Sequence, residues 1–352
     1  MPGLYSTETE SAKILLLGDS GQGKTGAKAA LVAAGYKLRM IDTDRGFKIL
    51  RSLLTDPHYP YAAYMKKHGI DPGEPGRISY IPIDVPMEIT QVTTRRENKN
   101  VTYDILAPTS AAAWSKVLGH LREWKDDGVS YGSITDWGND VVLDFDTLST
   151  LAELAKYWNQ GLNNRLGALE DDHGRDTGAG QELVKRLAIK ITSPLVKCNV
   201  IATTHITRID LERGAPLSPE QVLRQSPTKI IEPRGFPTII GRALSPILPK
   251  YWNDSFIVHR RGSSATAERR IYTRPIDNTD AKNSVWLEES YPLSTGLAEI
   301  LFALQYKTLP EDFLSSLRGK DNGGDSGSSA TGAGGANPNR PSGFGSGGFG
   351  KA

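Results

Sequence analysis

Hydrophobic positions along the chain gather into short apolar blocks separated by amphipathic stretches. Ile14-Leu15-Leu16-Leu17 is a continuous apolar run, as expected of a strand buried on both faces. The alanine-rich stretch after it predicts a helix that stops near Gly35. Lys37-Leu38-Arg39-Met40-Ile41-Asp42 predicts a second buried strand, which runs into the acidic stretch Asp42-Thr43-Asp44 and completes a β-α-β unit. Residues 56 to 137 are less regular, with a strand at Ile78 to Ile83, a polar hairpin-like region around Thr93 to Ile105 and an amphipathic helix from about Ser110 to Lys125. Val141-Val142-Leu143-Asp144-Phe145-Asp146 is the next strong strand, followed by a helix through Leu148 to Tyr157. The segment Asn159 to Gly180 is polar and contains glycine, which predicts a loop. A helix from about Gln181 to Ile191 then leads into the strand Asn199-Val200-Ile201-Ala202-Thr203-Thr204, which ends at His205.

From Thr207 to Pro237 the chain turns polar and proline-containing, the pattern of a long functional loop. Shorter strands are expected at Ser255 to His259 and Arg269 to Thr273, and a last helix from about Thr295 to Leu304. Strands alternating with helices predict an α/β fold with a mostly parallel sheet covered on both faces. The expected division is an N-terminal extension at 1–11, one domain at 12–318 with an insert-like region at about 56–137, and a tail at 319–352. The tail is nearly all Gly, Ser, Asn and Ala, with Phe344 and Phe349 as isolated aromatics, so it is expected to be disordered.

Composition narrows the classes without choosing among them. No run reaches the roughly 18 apolar residues of a membrane span, and the start lacks a signal-peptide layout, so the expectation is a cytoplasmic protein with no membrane partner. The only cysteine, Cys198, lies in an apolar stretch and reads as a small buried hydrophobe. The formal net charge of +2 neither argues for nucleic acid nor excludes it.

The chemistry is concentrated after the first strand. Gly18-Asp19-Ser20-Gly21-Gln22-Gly23-Lys24-Thr25, followed by Gly26, is a complete G-x-x-x-x-G-K-[ST] phosphate loop between a strand and a helix. Its amides can turn inward on a β-phosphate, Lys24 can reach β and γ oxygens, and Thr25 can offer a hydroxyl to Mg²⁺. ATP and Mg²⁺ are the expected cofactors. Asp144 and Asp146 both fit as the carboxylate on the Mg²⁺ side; the more apolar run before Asp146 favours it, and either residue also fits as a helix cap. Asp44, after the second strand, fits a carboxylate that polarises a water for in-line attack, while Asp42 and Asp44 also fit as caps of a helix from Gly46 to Leu54. His205 stands at a strand's carboxyl end, where open α/β sheets place ligands, and fits a γ-phosphate sensor, while an isolated histidine also fits a purely structural role.

Together these pieces resemble the RecA-like P-loop ATPases, and among them the phage-encoded Sak-type single-strand annealing proteins. Ile41-Asp42-Thr43-Asp44 is similar to the stretch ending in the catalytic glutamate of the recombinases, with Asp in place of Glu, a departure that implies slower hydrolysis. Asp146-Thr147-Leu148-Ser149 resembles their Walker B strand end, and Ala202-Thr203-Thr204-His205-Ile206 their sensor strand. Asp136-Trp137-Gly138, Gly241-Arg242-Ala243-Leu244, Leu248-Pro249-Lys250-Tyr251-Trp252 and Asp280-Ala281-Lys282 are similar to the phage group. The likeness spans roughly residues 12 to 305. It implies a RecA-like core that assembles head to tail as a homo-oligomeric ring or filament, with ATP at subunit boundaries and a basic residue reaching the neighbour's γ-phosphate. Lys282 matches that position best, with Arg274 behind it.

By the same carry-over the segment from Thr207 to Arg234 becomes the single-stranded DNA contact, through Arg208, Arg213, Arg224, Lys229 and Arg234; a charged surface loop without a ligand is the competing reading. The leading expectation is a Mg²⁺-dependent ATPase that binds single-stranded DNA and promotes annealing or strand exchange. A nucleotide-gated loader, or a recruiter of single-strand-binding protein or replication proteins through the tail, is the alternative. A small-molecule kinase is a third, without a clear lid motif to support it.

Overall fold

The computed structural model describes residues 11–96, 99–167, 174–210, 215–216, 233–241, 243–261 and 268–317. The expected N-terminal extension, apart from Ser11, and the tail at 319–352 lie outside the described residues. The first half of the chain runs β1 (Lys13–Leu17), α1 (Lys24–Ala27), α2 (Ala29–Ala33), β2 (Lys37–Asp42), α3 (Phe47–Thr55), α4 (Pro60–Lys67) and β3 (Ile78–Pro82). A ribbon of β4 (Met87–Arg96) and β5 (Lys99–Pro108) comes next, then α5 (Ala112–Arg122), the short pair β6 (Lys125–Asp126) and β7 (Val129–Ser130), and β8 (Val141–Asp146). After these come α6 (Leu148–Leu162), α7 (Arg175–Ile191), β9 (Asn199–Thr204), β10 (Ile206–Asp210), β11 (Ala215–Pro216) and β12 (Arg234–Pro237). The chain closes with β13 (Asp254–Arg260), β14 (Arg269–Tyr272), β15 (Ser290–Pro292), α8 (Gly296–Leu304) and α9 (Phe313–Leu317).

Eight strands form one sheet in the order β15-β14-β13-β1-β9-β8-β2-β3, parallel from β13 to β3 and antiparallel at the β14 and β15 edge. Strand periodicity divides the core between the two faces. Leu15, Leu17, Leu143, Phe145, Val200 and Ala202 pack with α5, α6 and α7 on one face. Ile14, Leu16, Leu38, Met40, Val142 and Ile201 pack with α2, α3, α4, α8 and α9 on the other. This is the expected α/β class, a mostly parallel central sheet flanked by helices on both faces. Cys198 is fully buried, as its apolar neighbourhood implies.

Three local expectations are corrected. The stretch from Asn159 to Gly180 is not one loop, because α6 continues to Leu162 and α7 begins at Arg175. Three of its polar side chains partner one another: Asn159 Nδ2 donates to Asp176 Oδ1 at 2.9 Å, and Arg165 pairs with Asp176, which is 1% exposed. The first helix is split into α1 and α2 at Lys28. The ends of the 207–237 segment are extended rather than looped, since β10 pairs antiparallel with β12, Arg208 opposite Gly235.

Candidate functional site

The sheet order sets β1, β9, β8 and β2 side by side, so their carboxyl ends meet along one edge. At the end of β1 the chain enters the phosphate loop. Gly23 sits at φ 100°, a left-handed conformation that glycine adopts without a Cβ clash, and a Cβ there would lie 2.5 Å from Leu293 Cδ2. The Lys24 ammonium donates to the Gly18 carbonyl at 2.5 Å and to the Asp19 carbonyl at 3.0 Å. Burial pushes its pKa down to about 8, against the attraction of Asp146 and Asp19.

Thr25 and Asp146 meet directly: the Thr25 hydroxyl donates to Asp146 Oδ2 at 2.6 Å. The Thr203 hydroxyl donates to Asp146 Oδ1 at 2.6 Å, and Asp146 is 2% exposed. Burial alone would raise the Asp146 carboxyl, but the Lys28 ammonium and the two hydroxyls outweigh it and pull its pKa down to about 2. Asp144, fully buried, faces Lys28 Nζ at 2.7 Å, and the same ammonium stands 3.0 Å from Asp146 Oδ2. Burial pushes Asp144 up to about 7 despite Lys28, because a single ammonium serves two carboxylates. The hard oxygen donors of Thr25 and Asp146 suit Mg²⁺, and Gly46 leaves them room: a Cβ on Gly46 would lie 2.9 Å from Asp146 Oδ2.

The two acids at the end of β2 divide their work. Asp42 caps α3, its oxygens accepting the amides of Gly46 at 2.9 Å and Phe47 at 3.0 Å. Asp44 accepts no helix amide among the described residues; it accepts the Thr150 hydroxyl at 2.7 Å and lies 3.8 Å from His205 Nε2. It is therefore partnered rather than isolated, yet 34% of its side chain remains exposed. The neighbouring His205 holds its carboxyl below the usual range, burial opposes that, and Thr150 adds to the lowering.

The end of β9 is tied to the phosphate loop on one side and to Thr238, just past β12, on the other. Gly18 N–H donates to the Thr204 carbonyl at 3.2 Å, and the Thr204 hydroxyl donates to the Thr238 carbonyl at 3.1 Å. Thr238 N–H in turn donates to the His205 carbonyl at 2.8 Å. Arg208 on β10 stands 3.9 Å from Asp19 Oδ2, which links this hairpin to the phosphate loop.

Other expected residues fall elsewhere. Arg234 pairs with Asp280 at 2.5 Å, Lys282 Nζ donates to the Trp252 carbonyl at 2.6 Å, and Arg274 is exposed after β14. Among the described residues no hydrogen bond or ion pair joins Lys282 or Arg274 to the phosphate loop. Arg213, Arg224, Lys229 and Arg242 lie outside the described residues. Lys28, Thr203, Thr150 and Gly46 are not legible in the sequence as site residues: Thr203 stands there only within the sensor-strand stretch and Gly46 only as a helix start, while Lys28 shows as a cation four residues after Lys24 among alanines. No described helix is long and apolar enough to cross a membrane.

Fold and site together define a phosphate-loop α/β protein. No protein-family model and no curated protein matches the chain. Among solved structures it is similar to a KaiC-like protein, PH0186, from the archaeon Pyrococcus horikoshii OT3 (12% identity, 80% of this chain and 85% of that one, TM-score 0.33). It is also similar to the RadB recombinase (11% identity, 79% and 93%, TM-score 0.34). A third is the flagellar accessory protein FlaH from Methanocaldococcus jannaschii (11% identity, 80% and 84%, TM-score 0.32).

Proposed function

We propose that the chain is a Mg²⁺-dependent ATP hydrolase that binds single-stranded DNA and promotes annealing or strand exchange, in the manner of the phage Sak-type proteins it resembles. One observation carries the hydrolase reading: the phosphate loop, the Thr25–Asp146 pair and the Asp44–His205 pair share a single sheet edge. Phosphoryl transfer asks a protein mainly for positioning and charge neutralisation. In this reading Lys24 leaves the Gly18 and Asp19 carbonyls for phosphate oxygens, and the loop amides hold the rest of the triphosphate. Thr25 and Asp146 hold Mg²⁺, which when bound neutralises charge on the phosphates. Asp44, kept ionised beside His205, accepts the proton of an attacking water.

The DNA part of the reading is supported by Arg208, whose ion pair with Asp19 ties the β10–β12 hairpin to the nucleotide loop. Assembly into a head-to-tail oligomer, with Lys282 or Arg274 serving a neighbour, belongs to the same reading. The test is ATP turnover titrated with single-stranded and duplex DNA, beside a Lys24→Ala control, with particle size recorded in each state. DNA-stimulated turnover that vanishes in Lys24→Ala is the expected result. Turnover indifferent to DNA, with no DNA retained in a mobility assay, removes the recombination part. Turnover unchanged in Lys24→Ala removes the hydrolase assignment.

A further inference from the structure

Two carboxylates and one ammonium are shut away from water behind the Thr25–Asp146 pair. Lys28 and Asp144 are 0% exposed and Asp146 is 2% exposed. Asp146 is well served by the Thr25 and Thr203 hydroxyls. Asp144 has no hydroxyl or amide partner among the described residues, so its compensation comes from the Lys28 ammonium at 2.7 Å. Uncompensated buried charge is costly, and the ammonium is what makes this pair of acids tolerable. The same ammonium stands 3.0 Å from Asp146 Oδ2, the oxygen that also takes the Thr25 hydroxyl. Lys28 thus occupies one side of the oxygen that the proposed function assigns to Mg²⁺.

We propose that Lys28 is a resident counter-cation that closes the Asp144–Asp146 pair to divalent cations in the nucleotide-free protein, so that Mg²⁺ is held only together with the triphosphate. The inference rests on the nucleotide-site reading for the identity of the cation. Its physical content is a charge count at a site of hard oxygen donors. With Lys28 present, the acids are partly neutralised from behind. Truncated at Cβ, the lysine leaves two facing carboxylates, the Thr25 hydroxyl and a space where its side chain ran. A divalent cation with water is the species that fits such a set. Lys28 acts through Asp146 and is a positioning residue, with no contact to substrate assigned to it.

The test uses the full chain without nucleotide. Lys28→Ala is titrated with Mn²⁺, free Mn²⁺ being read by electron paramagnetic resonance, and thermal unfolding is followed with and without Mn²⁺ or Mg²⁺. Lys28→Ala is expected to take up Mn²⁺ and to gain Tm on adding it, by linkage of binding to folding. Wild type and Lys28→Arg are expected to leave Mn²⁺ free and Tm unchanged. Equal Mn²⁺ uptake by wild type and Lys28→Ala, or none by either, overturns the proposal. Should Lys28→Ala fail to fold, Lys28→Ala/Asp144→Asn, which has the same formal charge in this cluster as the wild type, decides. Its folding without response to Mn²⁺ supports the charge count, and its failure to fold overturns it. Binding of a fluorescent ATP analogue to wild type, measured separately, shows whether the nucleotide reading itself fails.

Discussion

The Thr25 hydroxyl donates to Asp146 Oδ2 at 2.6 Å, joining the first turn after the phosphate loop to the tip of a strand 121 residues further along the chain. Hydrogen bonds to a charged group contribute about 1.5–3 kcal/mol. Thr25→Val keeps the shape and removes the donor, so its Tm should fall and its half-saturating Mg²⁺ concentration for ATP turnover should rise. Thr25→Ser should restore the Mg²⁺ response. A Thr25→Val protein with wild-type Mg²⁺ dependence would remove this hydroxyl from the metal side.

Asp44 and His205 face each other at 3.8 Å from two different strand tips. General-base contributions run to about 10²–10⁴ in rate, so Asp44→Asn should lose turnover on that scale while ATP affinity stays within about threefold. The Asp44 carboxyl is depressed, foremost by His205, so its ionised form persists as pH falls below the ordinary carboxylate range. For such a group the stabilisation is present above the unfolded pKa and lost as pH falls through the folded one. His205→Ala should therefore move the acid limb of turnover to higher pH. A limb that stays in place in His205→Ala argues that another group governs it.

Lys24 gives the opposite limb. Burial holds it at about 8, below a free lysine, so its ammonium is lost in the unliganded protein as pH rises through about 8. For a base lowered this way the protein gains stability, and nucleotide loses its cation, between about pH 8 and the ordinary lysine value. ATP affinity should be flat from about pH 7 to about 8 and then weaken by up to about tenfold per unit. A fluorescent analogue titrated across that range checks it, with Lys24→Arg, charged throughout, expected to show no such limb.

Gly46 lies against the metal-side pair, with a Cβ there falling 2.9 Å from Asp146 Oδ2 and 2.9 Å from Thr25 Cγ2. Gly46→Ala must push one of them aside. Overpacking of this kind costs about 1–3 kcal/mol, and here it also misplaces two oxygens. The expectation is a lowered kcat with the far-ultraviolet circular dichroism of a folded chain. Wild-type kcat in Gly46→Ala would mean that the pair tolerates the shift.

The α/β core was legible because strands buried on both faces must be apolar throughout, as Leu15 to Leu17 and Val141 to Leu143 are. The phosphate loop was legible because its spacing is itself the chemistry. What sequence could not convey is pairing across the sheet. Thr203 and Thr25 meet on Asp146 only because β9 lies between β1 and β8. Nothing in the alanine-rich stretch around Lys28 points to Asp144, which stands beside it in the fold. The misread loop at 159–180 has the same cause: Asn159, Arg165 and Asp176 are polar, but they partner one another around the buried Asp176 carboxylate. Which of Asp42 and Asp44 caps a helix was equally hidden, since both precede Gly46.

Arg208 offers the sharpest test of how DNA and nucleotide would communicate. Its side chain is 35% exposed on β10, with Nη1 3.9 Å from Asp19 Oδ2 in the phosphate loop. A phosphate of single-stranded DNA would compete with Asp19 for the guanidinium and so alter the loop at Asp19, whose carbonyl also receives Lys24. Arg208→Ala should leave DNA-free ATP turnover within about twofold, because an exposed pair at this distance contributes little by itself. It should abolish most of the stimulation by single-stranded DNA and lower the salt slope of DNA binding by about one. Stimulation retained in Arg208→Ala, with the salt slope unchanged, would place the DNA contact outside this hairpin strand and leave the hydrolytic site untouched.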